Sequence, residues 1–168
     1  KLSDRIGRKK ILIVVAFLYA FSALASAYSY SYETLYIARM IGGLAFGAAL
    51  ILAPTYIAEI SNSQNRGTLV SIQQLNIVLG FFAAFLSNYY FNELNSSSIF
   101  FSDENVWRWM LGVEFIPAAI YFILLFFVPK SPRWLFNFNR IEEAKEILFQ
   151  IHNPEQAEIE LKTISENI

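Results

Sequence analysis

Four long apolar stretches, at about residues 11–32, 35–60, 68–91 and 107–128, constrain this chain more than anything else in it. A helix rises about 1.5 Å per residue, so roughly 20 apolar residues cross the ~30 Å hydrocarbon core of a bilayer. All four stretches reach that length. In hydrocarbon every backbone N–H and C=O must pair, which leaves helices or closed barrels as spanning structures. A barrel would show shorter strands of alternating pattern, and the sequence has none. Charged residues make up 16% of the chain, against about 25% in ordinary soluble domains. The expected fold is an all-α membrane protein with four transmembrane helices. The chain holds no Cys, so neither disulfides nor thiol chemistry enter.

The second stretch carries a strong cation, Arg39, inside its apolar run. A guanidinium keeps its charge, and at the bilayer centre it costs about 2.5–3.5 kcal/mol on insertion scales. Arg39 should therefore face the interior of a bundle and meet a carboxylate. Arg39, Gly43 and Gly47 recur at spacings of four, so they share a helix face, and the glycines are expected to admit a neighbouring backbone. Pro54 weakens the last turns, and the helix delivers Glu59 and, just beyond, Arg66 to the far surface. Glu114 is the matching acid in the fourth stretch. Arg39 lies about four residues and Glu114 about seven residues below the outer ends of their spans, depths that an Arg side chain can bridge. A pair, or a shared buried network, is favoured over two side chains that snorkel separately to the interface.

Orientation follows from Lys and Arg in the loops. Lys1, Arg5, Arg8, Lys9, Lys10, Arg66, Lys130 and Arg133 fall on one side, whereas the opposite loops, 28–34 and 92–106, carry Glu33, Glu93, Asp103 and Glu104 instead. Residues 1–10, 61–67 and 129–168 are thus expected to be cytoplasmic. Tyr28, Tyr30, Tyr32, Tyr89, Trp107 and Trp109 suit an interfacial aromatic belt. Gly7 in the basic loop is expected to turn with positive φ. The inner charges taken alone fit a topological signal as well as a set of specific pairs.

After Trp134 the character changes. Asn139 followed by Glu142 has the pattern of a capping box. Ile141, Ala144, Ile147, Leu148 and Ile151 then form a helical apolar stripe, and Asn153-Pro154 opens a second polar helix to about Ser165. Residues 1–128 are read as part of a membrane bundle and residues 129–168 as the start of a cytoplasmic helical domain.

Several segments resemble known motifs. DRIGRKK is similar to the short loop motif of the major facilitator superfamily. PTYIAEI followed by NRG, then QQLNIVLG, WRWMLGVEFIPA and VPKSPRWL resemble, in order and spacing, the motifs of the sugar porter family within that superfamily. This family includes facilitative glucose transporters and proton-coupled xylose and glucose symporters. The resemblance covers nearly the whole chain. It implies the third to sixth membrane helices of an N-terminal half plus the start of the intracellular helical domain, with the first two helices and the C-terminal half absent.

The resemblance also implies roles. The arginine matching Arg39 meets an acidic residue of the first helix in the proton symporters, and the glutamate matching Glu114 lies close by. The residues matching Arg8, Glu59, Arg66 and Arg133 belong to a cytoplasmic salt-bridge network that closes the inner gate. The glutamine matching Gln74 hydrogen-bonds the sugar, and the positions of Ile77 and Phe81 line the same site. Spacings of three and seven place Gln74, Ile77 and Phe81 on one helix face, and an amide with apolar walls suits a sugar. One departure is clear. The family usually has Pro-Glu-Ser-Pro-Arg where this chain has Pro129-Lys130-Ser131-Pro132-Arg133, so Glu142 or Glu143, or the absent half, must balance the reversed charge.

The expected function is transport of a hexose or pentose by alternating access, with proton symport and facilitated diffusion both open. The alternatives are a superfamily transporter of another small solute and a non-transporting sugar sensor on the same fold. The implied partners are a sugar, the bilayer, protons if coupled, and the absent C-terminal half. No nucleic acid, metal, cofactor or covalent catalysis is expected. Asn95-Ser96-Ser97 fits a glycosylation acceptor on the outer loop if the source is eukaryotic. His152 is expected to be solvated.

Overall fold

A computed structural model describes residues 5–61, 64–97, 105–151 and 153–166. Asp4, Asp103, Glu104 and His152 lie outside the described residues. The elements are α1 (Arg8–Ala27), α2 (Tyr32–Ile60), α3 (Arg66–Ser97), α4 (Val106–Gly112), α5 (Phe115–Phe127), α6 (Pro132–Asn137), α7 (Ile141–Ile151) and α8 (Pro154–Glu166). No strand occurs among the described residues. α1, α2, α3 to Leu94, and the α4–α5 pair are long and apolar enough to cross a membrane.

The first two helices start where local chemistry dictates. Gly7, at φ 96°, sits at the N-terminal end of α1, in the left-handed region that its sequence position predicted. The short turn between α1 and α2 lies at 28–31 rather than around Glu33, because Ser31 and Thr34 cap α2 reciprocally. The Ser31 hydroxyl accepts from the Thr34 amide at 3.3 Å, and the Thr34 hydroxyl accepts from the Ser31 amide at 3.3 Å. Glu33 then occupies the first turn of α2, where a carboxylate favours the helix dipole. Tyr32 consequently belongs to α2 and not to the first span.

The apolar stretch 107–128 is two helices, not one. Pro117 has no N–H and its ring crowds the carbonyl of Val113, four residues earlier. That carbonyl instead accepts from Ile116 at 3.1 Å, and the chain breaks at Val113 and Glu114 between α4 and α5. α2, by contrast, continues through Pro54 to Ile60. The Thr55 hydroxyl donates to the Ile51 carbonyl at 2.8 Å in the same turn.

α1 is the central helix and packs against α2, α4 and α5. Its buried positions are mostly small: Ala16, Ala20, Ser22, Ala23 and Ser26. Small residues let membrane helices approach closely, because lipid offers no hydrophobic drive between them. Ser22 donates to the Ala38 carbonyl at 2.6 Å, and an added Cβ on Gly42 would collide with Ser22. The close face of α2 is therefore Ala38, Gly42 and Ala45. The expected seam at Gly43 and Gly47 is not that face, since a Cβ on either would meet nothing within 4 Å. Lateral packing of α1 sets the rotation of α2, one residue away from the arginine face. Towards the end expected from the charge asymmetry to be cytoplasmic, called inner below, Leu12, Ala16, Tyr56 and Leu125 form the core.

α6–α8 make a separate small core, with Leu148 and Ala157 buried beside Phe136 and Leu161. Asn139 is not the start of the capping box expected with Glu142. It adopts φ 59° after α6. Its amide donates to Phe136 O at 2.9 Å and the Arg140 amide to Leu135 O at 3.0 Å, the paired bonds of a Schellman stop. Asn tolerates left-handed backbone, and that use excludes the extended geometry of an N-cap. The Asn95-Ser96-Ser97 triplet, expected in a loop, falls in the last turn of α3.

Candidate functional site: two charge clusters at opposite ends of the bundle

The outer cluster is built by α2 and the α4–α5 break. Arg39 Nη1 lies 3.0 Å from Glu114 Oε2. The break at Pro117 positions Glu114 immediately before α5, within reach of the α2 arginine face. The two side chains are 40% and 33% exposed, and they line a cleft of about 270 Å³ together with Tyr19, Gly43, Phe46 and Phe81. A guanidinium, a carboxylate, a phenol and apolar rings thus converge on one concavity. The pair sits in membrane-length helices, where neither charge would be tolerated singly at low cost.

Of the three residues expected at a sugar site, Phe81 lines this cleft and Gln74 and Ile77 do not. Ile77 is half-buried and Gln74 exposed, about one and two turns from Phe81 along the same helix towards Arg66. α3 touches chiefly α2 and α4, and none of the residues in its apolar window is buried.

The inner cluster joins the beginnings and ends of four elements. Arg8 Nε lies 2.7 Å from Glu59 Oε1, with the side chains 16% and 9% exposed. Ser131 donates to the other oxygen, Oε2, at 2.6 Å. Tyr56 donates its hydroxyl to the Pro129 carbonyl, and Lys9 Nζ donates to the Phe126 carbonyl at 2.9 Å. Those two carbonyls follow or end α5, so the inner end of α5 is satisfied by donors from α1 and α2. From sequence, Arg66 and Arg133 are grouped with Arg8 and Glu59. Arg66 is half-buried and Arg133 exposed, and neither forms an ion pair with Glu59 among the described residues.

Lys130 finds its acid within the chain. Its Nζ lies 3.4 Å from Glu143 Oε2, while Arg140 Nε donates to Glu143 Oε1 at 2.7 Å. Glu142 pairs instead with Lys145 at 3.1 Å. The Arg140 hydrogen bond is the largest influence on the Glu143 carboxyl and holds it below its ordinary range, with Lys130 adding to the effect.

Three contributors escape a reading of the sequence. Ser131 carries a legible signal, since Ser before Pro marks a helix start, but nothing local announces its bond to Glu59. Tyr56 resembles any apolar-run aromatic until its hydroxyl partner is seen. Arg108 stands at the outer end of α4, its guanidinium carbon 5.0 Å from the Tyr30 ring centre and 5.1 Å from that of Trp107. The Trp-Arg-Trp sequence makes such a cation–π contact readable.

With these sites described, known proteins can be compared. The chain matches the sugar (and other) transporter family over residues 1–168. It is 41% identical over 167 residues to the arabinose-proton symporter of Bacillus subtilis, covering 99% of this chain and 36% of the relative. It is 40% identical over 167 residues to the D-xylose transporter of Levilactobacillus brevis, covering 98% of this chain and 35% of the relative. The structure is similar to the xylose transporter from E. coli in a partially occluded inward-open conformation. There the TM-score is 0.88 and the identity 31%, over 98% of this chain and 41% of that one. The chain spans little more than a third of these relatives. Its helices, its motifs and its match from end to end agree: it is a multi-pass membrane chain and belongs to the sugar porter family of the major facilitator superfamily.

Proposed function

We propose that this chain forms the third to sixth membrane helices of a sugar transporter that works by alternating access coupled to protons. Residues 1–128 belong to the transmembrane bundle and residues 129–168 open the cytoplasmic helical domain. Residues 1–10, 61–67 and 129–168 face the cytoplasm of a cell membrane, on the side of the excess Lys and Arg. Substrate binds near the midplane between this half and a second one, and the halves rock about it. Gln74, Ile77 and Phe81 contribute to that site from α3. Arg39 and Glu114 form the buried charge pair of proton coupling, completed by a carboxylate on a helix outside this chain. Arg8 and Glu59, with Arg66 and Arg133 near them, hold the cytoplasmic gate. No step requires covalent chemistry, so the protein is not an enzyme.

The observation that carries this reading is the Arg39–Glu114 contact at 3.0 Å inside two membrane-length segments, beside a cleft that Phe81 also lines. Both side chains border that cleft, so a group entering it can reach the pair. The names of similar proteins, an arabinose-proton symporter, a D-xylose transporter and a galactose-proton symporter, support a pentose or hexose as cargo. The test is uptake of labelled pentoses and hexoses by cells expressing the full-length protein, with external pH recorded. Sugar-dependent uptake with alkalinisation of the medium supports symport. Uptake without it supports facilitated diffusion, and no uptake of any sugar with normal surface expression contradicts the proposal.

A further inference from the structure

The inner contacts close into a ring. Arg8 Nε holds Glu59 Oε1 at 2.7 Å, and Ser131 Oγ donates to Glu59 Oε2 at 2.6 Å. The same Ser131 oxygen accepts from the Trp134 amide at 3.3 Å, as the N-cap of α6. The Trp134 indole lies over the turn that leads into Arg8, where a Cβ on Gly7 would stand 3.1 Å from the ring. Gly7, Arg8, Glu59, Ser131 and Trp134 therefore return to their starting point, through α1, α2 and α6.

A serine hydroxyl has one proton to donate and lone pairs to accept with. At Ser131 the proton goes to Glu59 and a lone pair takes the Trp134 amide. Hydrogen bonds chained through one hydroxyl polarise one another, the more so when one partner is charged. Ser131 is 2% exposed, so water cannot readily replace either partner. We infer that Ser131 is a positioning residue that couples the Arg8–Glu59 pair to the first turn of α6, so that the gate and the cytoplasmic helices move as one unit. This rests on the gating role proposed above for Glu59, while the ring itself is independent of transport. When Glu59 leaves Arg8, the hydroxyl loses its acceptor, the α6 cap weakens and the indole is freed from the Gly7 turn.

Asp is as good an N-cap as Ser, so Ser131→Asp keeps the cap and replaces the donor to Glu59 with a second carboxylate. Glu59→Gln in that background restores one carboxylate facing Arg8. Hydrogen exchange at residues 133–137, measured in the purified full-length protein without sugar, reads the ring directly. Ser131→Asp is expected to speed exchange about fivefold or more, and adding Glu59→Gln should recover most of that protection, a non-additive cycle. Ser131→Thr, which retains the hydroxyl, should stay near wild type. In uptake assays the same cycle should appear in the maximal rate more than in KM. If the two substitutions combine additively within about twofold, Ser131 is only a helix cap and the inference is overturned. A non-additive exchange cycle in a protein that moves no sugar upholds the ring and contradicts the transport reading instead.

Discussion

Arg8 and Glu59 meet at 2.7 Å across the inner ends of α1 and α2, although 50 residues of membrane-spanning hairpin separate them along the chain. Their side chains are 16% and 9% exposed, so the pair is largely withdrawn from screening water. Removing one partner leaves the other charge enclosed, which costs far more than the loss of an exposed surface pair. Glu59→Gln should leave the helices intact and shift the gate equilibrium by about 1–3 kcal/mol, or roughly 5- to 150-fold. The chain contains no Cys, so a single cysteine introduced on its inner face, with any Cys elsewhere in the full-length protein replaced, is a reporter there. Its labelling by a membrane-impermeant thiol reagent from the cytoplasmic side should accelerate in Glu59→Gln. An unchanged rate would remove Glu59 from the gate.

Gln74 supports a different prediction. Its side chain is exposed among the described residues. If that amide hydrogen-bonds a sugar hydroxyl, leaving the hydroxyl unpaired in the occluded site costs about 1–3 kcal/mol. Gln74→Ala in the full-length protein should then weaken sugar binding roughly 5- to 150-fold. Calorimetry on the purified protein would reject the role if affinity is unchanged.

The glycines of α2 separate by a single residue of register. Gly42→Ala places a methyl against Ser22, whose Oγ can rotate away but whose Cβ, 3.1 Å from the new atom, cannot. Rotation also gives up the 2.6 Å bond to the Ala38 carbonyl. We expect Gly42→Ala to cost about 1–3 kcal/mol through overpacking. Gly43→Ala and Gly47→Ala, facing open space in this chain, should cost less. Thermal melts of the three variants in detergent rank them, and equal losses would contradict the packing described here.

Much of this architecture was legible. Span length gives four membrane-length helices, and the depths of Arg39 and Glu114 bring the two together. What was not legible depends on competition between neighbouring signals. Asn139 with Glu142 satisfies a capping-box pattern, yet the end of α6 claims Asn139 first for its left-handed stop. Arg39, Gly43 and Gly47 share a face, but the Ser22–Ala38 contact rotates the close-packed face to Gly42. The break at Val113 follows from Pro117, a signal present in the sequence whose consequence for Glu114 needs three dimensions to see. Ser131 announces a helix start and conceals its link to Glu59, because the two lie 72 positions apart.

The reversed charge at Lys130 has a pH signature. Hydrogen bonding from Arg140, reinforced by Lys130, holds the Glu143 carboxyl below the ordinary glutamate range. A carboxylate with a depressed folded pKa contributes stability that is complete above its unfolded pKa and lost as pH falls through the folded value. The tie between Lys130 and α7 should therefore be constant at neutral pH and weaken only below the ordinary glutamate pKa of about 4.3. Hydrogen exchange in the first turn of α7 should quicken across that window relative to intrinsic rates. In Glu143→Gln the step should vanish, and a step that persists would assign the titration to another group.

Alternating access remains the claim on which the rest depends, and the distance across the cytoplasmic face tests it most directly. Paired spin labels, one at the inner end of α1 and one at the corresponding position of the second half, can be measured in the full-length protein with and without sugar. The account predicts two distance populations, separated by the rocking of the halves, whose ratio changes when the transported sugar is added. A single distribution that sugar leaves unchanged would contradict it.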